Sequence, residues 1–78
     1  MKTKAIFCIV TFPTTAAAMA FEKAAKRSGL SGRLIPTPRS ISTDCGLAWK
    51  DDTRARDAME ELVIELRLDG CRMHEVAL

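Results

Sequence analysis

The stretch Ala5-Ile6-Phe7-Cys8-Ile9-Val10-Thr11-Phe12, residues 5–12, decides how this chain folds. Its β-branched and aromatic residues favour a strand. Both alternating sets of positions are apolar, which is typical of a strand in the middle of a sheet. We therefore predict a central strand over Lys2–Phe12, and Pro13 ends it.

A helix follows the first strand. Thr14 or Thr15 supplies a hydroxyl that can cap the first turn, and the helix is predicted to run to about Ser28. One face carries apolar or small residues at helical spacing, with Glu22 and Lys26 paired elsewhere on the surface. The residues of the inward face are Ala17, Phe21, Ala24 and Ser28. Gly29 is predicted to close the helix in the left-handed conformation.

The second half repeats the alternation of strands and a helix. Gly32–Thr37 is predicted as an edge strand, because its proline cannot donate to a strand ladder. A loop over Pro38–Gly46 leads to a short strand, Leu47–Lys50. A second helix is predicted from Asp51 or Asp52 to about Asp69, and Gly70 is predicted to end it. Its inward residues are Ala55, Ala58 or Met59, Leu62 and Leu66. The last element is a strand over Cys71–Leu78.

The resulting order is βαββαβ. With right-handed crossovers this order predicts an α+β, ferredoxin-like sandwich: a four-stranded antiparallel sheet with two helices on one face. Residues 1–78 are too few for more than one domain. Because both faces of the first strand are apolar, the face without helices is expected to expose aliphatic surface. Such patches mark interfaces, so we expect a homo-oligomer formed through that face.

Composition excludes several classes of protein. The 78 residues carry 12 basic and 10 acidic side chains, and the basic ones are scattered rather than gathered, so we expect no nucleic-acid partner. The longest apolar run, Ala5–Val10, is far shorter than the roughly 20 residues of a membrane span. Three cysteines without a CxxC spacing favour reduced thiols over a disulfide framework or a metal site, and hence a cytoplasmic protein without a cofactor.

Cys45 is the main candidate for chemistry. It lies in a polar loop before Gly46, which would let the backbone approach the sulfur, and after Arg39, Ser40 and Ser42, which could supply charge and hydrogen bonds to a thiolate. Asp44 would act in the opposite direction by raising the thiol pKa. The alternative is a buried structural cysteine, since free cysteine is commonly buried.

The other candidates are weaker. Cys8 is expected to fill the core, and Cys71 is expected to be structural, although it could approach Cys45. His74, the only histidine, is expected to face solvent and not to form a Cys-His nucleophile pair. Thr14 and Thr15 stand at a helix N-terminus, which can hold an anion, but simple capping is the alternative.

Two blocks of this sequence resemble a known family. They are Thr11-Phe12-Pro13-Thr14-Thr15 with Ala18-Met19 and Glu22-Lys23, and Gly32–Ser42 (GRLIPTPRSIS) followed by Cys45-Gly46-Leu47-Ala48. Together they resemble the selenium/sulfur carrier protein-like family, a group of small bacterial domains. The resemblance spans nearly the whole chain, and the Pro-x-Pro-Arg-x-Ile-Ser…Cys-Gly-Leu-Ala block is its most specific part. It places a family cysteine at Cys45 and implies a carrier or redox role.

Two functional hypotheses follow. In the first, Cys45 carries a persulfide or selenium adduct, Arg39, Ser40, Ser42, Gly46, Thr14 and Thr15 surround the cargo, and donor and acceptor proteins are the partners. In the second, the chain is a non-catalytic ferredoxin-like binding or assembly module and Cys45 is structural. An independent enzyme is disfavoured because no acid–base partner set accompanies the thiol.

Overall fold

The computed structural model of this chain describes residues 5–41 and 46–78. Within these residues the elements follow the order β-α-β-β-α-β, as the ferredoxin-like prediction required. The strands are β1 (Ile6–Thr11), β2 (Arg33–Pro36), β3 (Leu47–Asp52) and β4 (Arg72–Ala77). The helices are α1 (Thr15–Arg27) and α2 (Arg56–Glu65), and a 3₁₀ turn over Thr53–Ala55 leads into α2.

The strands form one antiparallel sheet in the order β2-β3-β1-β4. The predictions that β1 is central and that β2, with its proline, is an edge strand are both confirmed. Thr11 at the end of β1 pairs with Ala48 near the start of β3 and with Arg72 at the start of β4. We call this the Thr11 end of the sheet, and the opposite end, where Phe7 pairs with Asp52, the Phe7 end.

The core lies between the sheet and the two helices. Phe21 of α1 packs edge-on against Trp49 of β3, with ring centroids 5.6 Å apart, and Phe12 lies 5.4 Å from Phe21 on its other side. Burying these three rings supplies much of the apolar area that stabilises so short a chain. The buried cluster comprises Cys8, Val10, Phe12, Ala18, Phe21, Ala25, Trp49, Met59 and Leu62.

The first helix matches its prediction closely. Thr14 is its N-cap, Gly29 follows it with φ +84°, and Glu22 and Lys26 form the expected surface pair at 3.6 Å. The inward face is centred on Ala18, Phe21 and Ala25, with Ala17 and Ala24 only partly buried. Ser28 is exposed as the C-cap, so its predicted place on the inward face is wrong.

The second helix is shorter than predicted. It ends at Glu65 rather than near Asp69, because Arg67 adopts the left-handed conformation with φ 54° and the chain turns there. Gly70, also at positive φ, lies in the following turn and does not end the helix. At the other end β3 continues to Asp52, which caps the 3₁₀ turn, so Asp51 belongs to the strand and not to the helix.

The sheet face opposite the helices exposes less aliphatic surface than the sequence suggested: Ile35 and Val76 are partly exposed there, but its centre is covered. Its central residues Ile9 and Ala48 have no exposed area. Ile9 lies directly opposite Lys50 on β3 and His74 on β4, whose long side chains can cover apolar surface. The large apolar residues that are exposed among those described are Ile6, Met19, Ile64 and Leu78, none of which belongs to that face.

Candidate functional site

The Thr11 end of the sheet brings together the segments that the sequence singled out. The β1–α1 turn, the end of β2 and the beginnings of β3 and β4 all lie there. Counting on from the pairing of Thr11 with Ala48 places Gly46, the residue after Cys45, level with Pro13. The β2–β3 connection therefore lies at the same end of the sheet as the N-terminus of α1.

The described part of the β2–β3 connection is held by two backbone hydrogen bonds. The N–H of Thr37 donates to the carbonyl of Gly46 at 2.9 Å, which extends the β2–β3 ladder by one step beyond the strands. The N–H of Ile41 donates to the carbonyl of Pro38 at 3.0 Å and closes a turn. Arg39 and Ser40 lie inside this turn and are exposed, as side chains that meet a partner or cargo must be.

Four residues of the connection, 42–45, lie outside the described part of the chain. The predictions that fall on them are the role of Cys45 as a reactive thiol, the support of its thiolate by Arg39 and Ser42, the opposing effect of Asp44, and the possible approach of Cys71. These stay predictions.

The role of Gly46 stays a prediction, because it involves the Cys45 sulfur, which lies outside the described residues. The φ of Gly46 is not in the positive range, and an added Cβ would meet no atom of the described residues within 4 Å. Its conformation therefore gives no reason for a glycine. We keep Gly46 as a candidate only because it adjoins Cys45.

The N-terminus of α1 is capped conventionally. The Thr14 hydroxyl accepts a hydrogen bond from the N–H of Ala17 at 3.1 Å, which satisfies one of the free donors of the first turn. Thr15, the first helical residue, is exposed. The geometry confirms the capping interpretation for Thr14, and the anion site at this terminus stays a prediction.

The two described cysteines lack the features of a reactive thiol. Cys8 has no exposed area, and burial raises the pKa of its thiol. Cys71 is half-buried beside α2, and burial followed by the nearby charge of Asp69 raises the pKa of its thiol as well. Since the thiolate is the reactive form, neither residue suits sulfur chemistry near neutral pH. The prediction that Cys8 belongs to the core is confirmed.

His74 is half-buried and does not face open solvent as expected. It lies on the sheet face opposite the helices, where its Nε2 is 3.5 Å from the hydroxyl of Thr11. That hydroxyl also approaches the carbonyl of Arg72 at 3.4 Å. These contacts give His74 a structural place in β4, beside the hydroxyl of Thr11.

The structure adds one residue that the sequence did not single out. Asp51 is only 5% exposed, and its carboxylate accepts hydrogen bonds from the indole of Trp49 at 3.1 Å and from the N–H groups of Gly32 at 3.2 Å and Asp52 at 2.8 Å. Three donors compensate the lost hydration of the buried carboxylate. An acidic residue before a helical pattern is typical of a helix N-cap, so the sequence indicated a cap rather than a buried carboxylate at this position.

Among the described residues, no group of three or more His, Cys, Asp or Glu side chains is placed to hold a metal ion. Within the same residues, no helix has the length and apolar character needed to span a membrane.

The family model described as "Putative Se/S carrier protein-like" matches residues 7–74, which include both resemblance blocks and Cys45. The chain belongs to this family. The match covers both helices, β2, β3, the whole β2–β3 connection, nearly all of β1 and the first half of β4, so the selenium/sulfur carrier protein-like resemblance is confirmed over most of the fold. Comparison with curated proteins and with solved structures gives no match.

Proposed function

We propose that this protein is a thiol-based carrier of sulfur or selenium and that Cys45 is the carrier thiol. The observation that carries the proposal is membership of the selenium/sulfur carrier-like family over residues 7–74. The family description names the cargo, and cysteine is the side chain that forms a covalent bond to either element.

The state of the other two thiols supports the choice of Cys45. Cys8 is enclosed by the core, and the thiols of both Cys8 and Cys71 have raised pKa values, so their thiolate fractions near neutral pH are small. The chain has three cysteines. With two of them disfavoured, Cys45 is the thiol best suited to the proposed carrier role.

The position of the β2–β3 connection also supports the proposal. It ends at Gly46, level with the β1–α1 turn, and its exposed residues Arg39 and Ser40 are available to a partner protein or to an anionic cargo. Arg39 and Ser40, with Ser42, Gly46, Thr14 and Thr15, form the proposed surroundings of the cargo. A loop at one end of a rigid sheet suits hand-over between proteins, because a partner can approach without disturbing the core.

The proposed loading step is a thiol exchange without net oxidation. The Cys45 thiolate attacks the terminal sulfur of a donor hydropersulfide, R–S–SH, and the S–S bond of the donor breaks. The donor leaves as a thiolate, R–S⁻, which takes up a proton, and the sulfur remains on the protein as Cys45–S–SH. In the unloading step an acceptor thiolate attacks the terminal sulfur of Cys45–S–SH, takes that sulfur and releases the Cys45 thiolate. A donor that holds selenium in the terminal position loads selenium in the same way.

Intact-mass spectrometry tests the proposal directly. The protein is incubated anaerobically with a low-molecular-weight hydropersulfide, and the expected product is heavier by one sulfur atom. Cys45→Ser should lose this adduct, whereas Cys8→Ala and Cys71→Ser should keep it. An adduct that persists in Cys45→Ser, or the absence of any adduct in the wild-type protein, would overturn the assignment.

Alkylation separates the carrier from a binding or assembly module in which Cys45 is structural. Native protein is treated with iodoacetamide near neutral pH, and the labelled cysteines are identified by peptide mass spectrometry. A carrier thiol at Cys45 should react at least about tenfold faster than Cys8, because the reaction needs an accessible thiolate. Protection of Cys45 until the protein is unfolded would favour the module.

A further inference from the structure

A cleft of about 310 Å³ lies at the Phe7 end of the sheet, where β2 begins beside the last residues of β3. Phe7, Gly32, Arg33, Lys50, Asp51 and Asp52 contribute to its wall. Its volume is at the lower limit of the range in which proteins hold small molecules, about 300–1,000 Å³. The cleft is at the opposite end of the sheet from Gly46 and thus from the proposed carrier site.

Two cations face each other at this cleft. Arg33 on β2 and Lys50 on β3 are directly paired, so their side chains emerge on the same face of the sheet, the one opposite the helices. Like charges in this position repel each other and destabilise a sheet. Neither side chain forms an ion pair with a carboxylate of the described residues. The Lys50 ammonium instead lies 4.2 Å from the centroid of the Phe7 ring.

The two acidic residues of the cleft already have hydrogen-bond partners within the protein. Asp51 points to the helix side of the sheet, with Trp49, and its two carboxylate oxygens accept three N–H donors. Asp52 is bound by Arg54, whose Nε and terminal nitrogen lie 3.1 and 3.2 Å from its two oxygens. Asp51 keeps its negative charge but is buried on the helix side, and Asp52 is ion-paired, so the charges that a ligand can reach on the open face are those of Arg33 and Lys50.

We propose that this cleft binds a tetrahedral oxyanion of the phosphate type, held between the guanidinium of Arg33 and the ammonium of Lys50. A guanidinium presents paired N–H donors that match two oxygens of such an anion, and a lysine adds a point charge. A bound anion would also relieve the repulsion between the two cations. The volume leaves room for an organic group beside the Phe7 ring, so the anion is either free phosphate or a phosphate monoester.

Nuclear magnetic resonance titration of the ¹⁵N-labelled protein tests the proposal. The probes are inorganic phosphate and phenyl phosphate, added at constant ionic strength against chloride. Saturable shifts are expected at the amides of residues 31–33 and 50–52. Equal affinity for the two probes identifies a site for the free anion, and tighter binding of phenyl phosphate identifies a site for a monoester.

Matched arginine variants make the test specific. Arg33→Gln should weaken phosphate binding about tenfold, because a charge-assisted paired hydrogen bond is lost. Arg72→Gln is the control, since Arg72 is also exposed, lies on an edge strand and shares the same sheet face. Cys45→Ser should bind phosphate as the wild type does, which keeps this test independent of the carrier proposal. Shifts that do not saturate, or equal weakening by Arg33→Gln and Arg72→Gln, would overturn the proposal.

Discussion

At the scale of single residues, two glycines show how differently the same residue type is used. The N–H of Gly32 donates to the Asp51 carboxylate. A Cβ at residue 32 would collide with the carbonyl oxygen of Lys50 and lie 2.7 Å from the Asp51 carboxylate. At Gly46 a Cβ would meet no described atom within 4 Å. Gly46 attracts attention in the sequence because it follows a cysteine, whereas the steric demand at Gly32 depends on two residues almost 20 positions away.

This contrast predicts that alanine substitution is destabilising at one of the two glycines and almost without effect at the other. Gly32→Ala should lower the free energy of unfolding by about 1–3 kcal/mol, because the backbone of β3 and the buried carboxylate must shift to admit the methyl group. Gly46→Ala should change it by less than about 0.5 kcal/mol. Urea unfolding followed by tryptophan fluorescence measures both. Equal effects of the two substitutions would contradict the assignment of the close contact to Gly32.

Cys8 provides a prediction for the dependence of stability on pH. Burial raises the pKa of its thiol above the ordinary value of 9.0, an effect that the charge of Arg56 partly offsets. Above about pH 9 the unfolded chain releases this proton while the folded chain retains it, so stability should be full below that pH and fall as the pH rises towards the folded-state pKa. The pKa of Cys71 is raised too, which adds to the fall.

Urea unfolding at a series of pH values between about 8 and 10.5 checks this expectation. The loss of unfolding free energy across the series should be smaller in Cys8→Ala than in the wild type, and smaller still in a variant that also carries Cys71→Ala. The comparison uses slopes, because the cavity in Cys8→Ala lowers stability at every pH. Identical slopes in all three proteins would show that these thiols ionise alike in the folded and unfolded chains.

At the scale of elements, the two helices end in the same hydrogen-bond pattern with different residues. After α1, the N–H groups of Gly29 and Leu30 donate to the carbonyls of Lys26 and Ala25. After α2, the N–H groups of Arg67 and Leu68 donate to the carbonyls of Ile64 and Val63. Both ends form a Schellman motif, which needs a left-handed residue at the position of Gly29 and Arg67.

This difference explains which helix end could be predicted. Gly29 indicates the end of α1 in the sequence, because glycine reaches positive φ without a steric cost. Arg67 gives no such signal, so the sequence indicates the next glycine, Gly70, and the predicted C-terminal end of the helix lies four residues too far along the chain. The strand order followed from patterns that do carry a physical cause: apolar residues on both faces of β1, and a proline in β2 that suits only an edge.

The shared motif predicts a stabilising substitution. Arg67→Gly should raise the free energy of unfolding by about 0.5–1 kcal/mol. The substitution removes the steric strain of a side chain at φ 54° in the folded state. Part of this stabilisation is offset because glycine makes the unfolded chain more flexible. Gly29→Ala is the matched reverse change and should lower stability by about 1 kcal/mol or more. Destabilisation by Arg67→Gly would mean that the arginine side chain makes contacts worth more than the backbone strain.

At the scale of the whole molecule, the open sheet face and helix α2 carry charges of opposite sign. The sheet face opposite the helices presents Arg33, Lys50 and Arg72, and its acid, Asp52, is bound to Arg54. The helix α2 is acidic, with four carboxylates against one arginine: Asp57, Glu60, Glu61, Glu65 and Arg56. The sequence shows only a net charge of +2 with mixed signs, since this separation depends on which residues the fold places together.

This distribution bears on the expected homo-oligomer. A two-fold contact through the open sheet face would place two copies of this face, each with Arg33, Lys50 and Arg72, against each other, and the aliphatic residue Ile9 at its centre has no exposed area left to bury. Like-charge repulsion of this kind is strongest at low ionic strength, where screening is weak. We therefore predict that the protein sediments as an 8.6 kDa monomer at micromolar concentration in low salt. Sedimentation velocity provides the measurement, with Arg33→Gln as the comparison. A wild-type dimer under these conditions, unchanged by Arg33→Gln, would contradict the prediction and return the open face to its expected role as an interface.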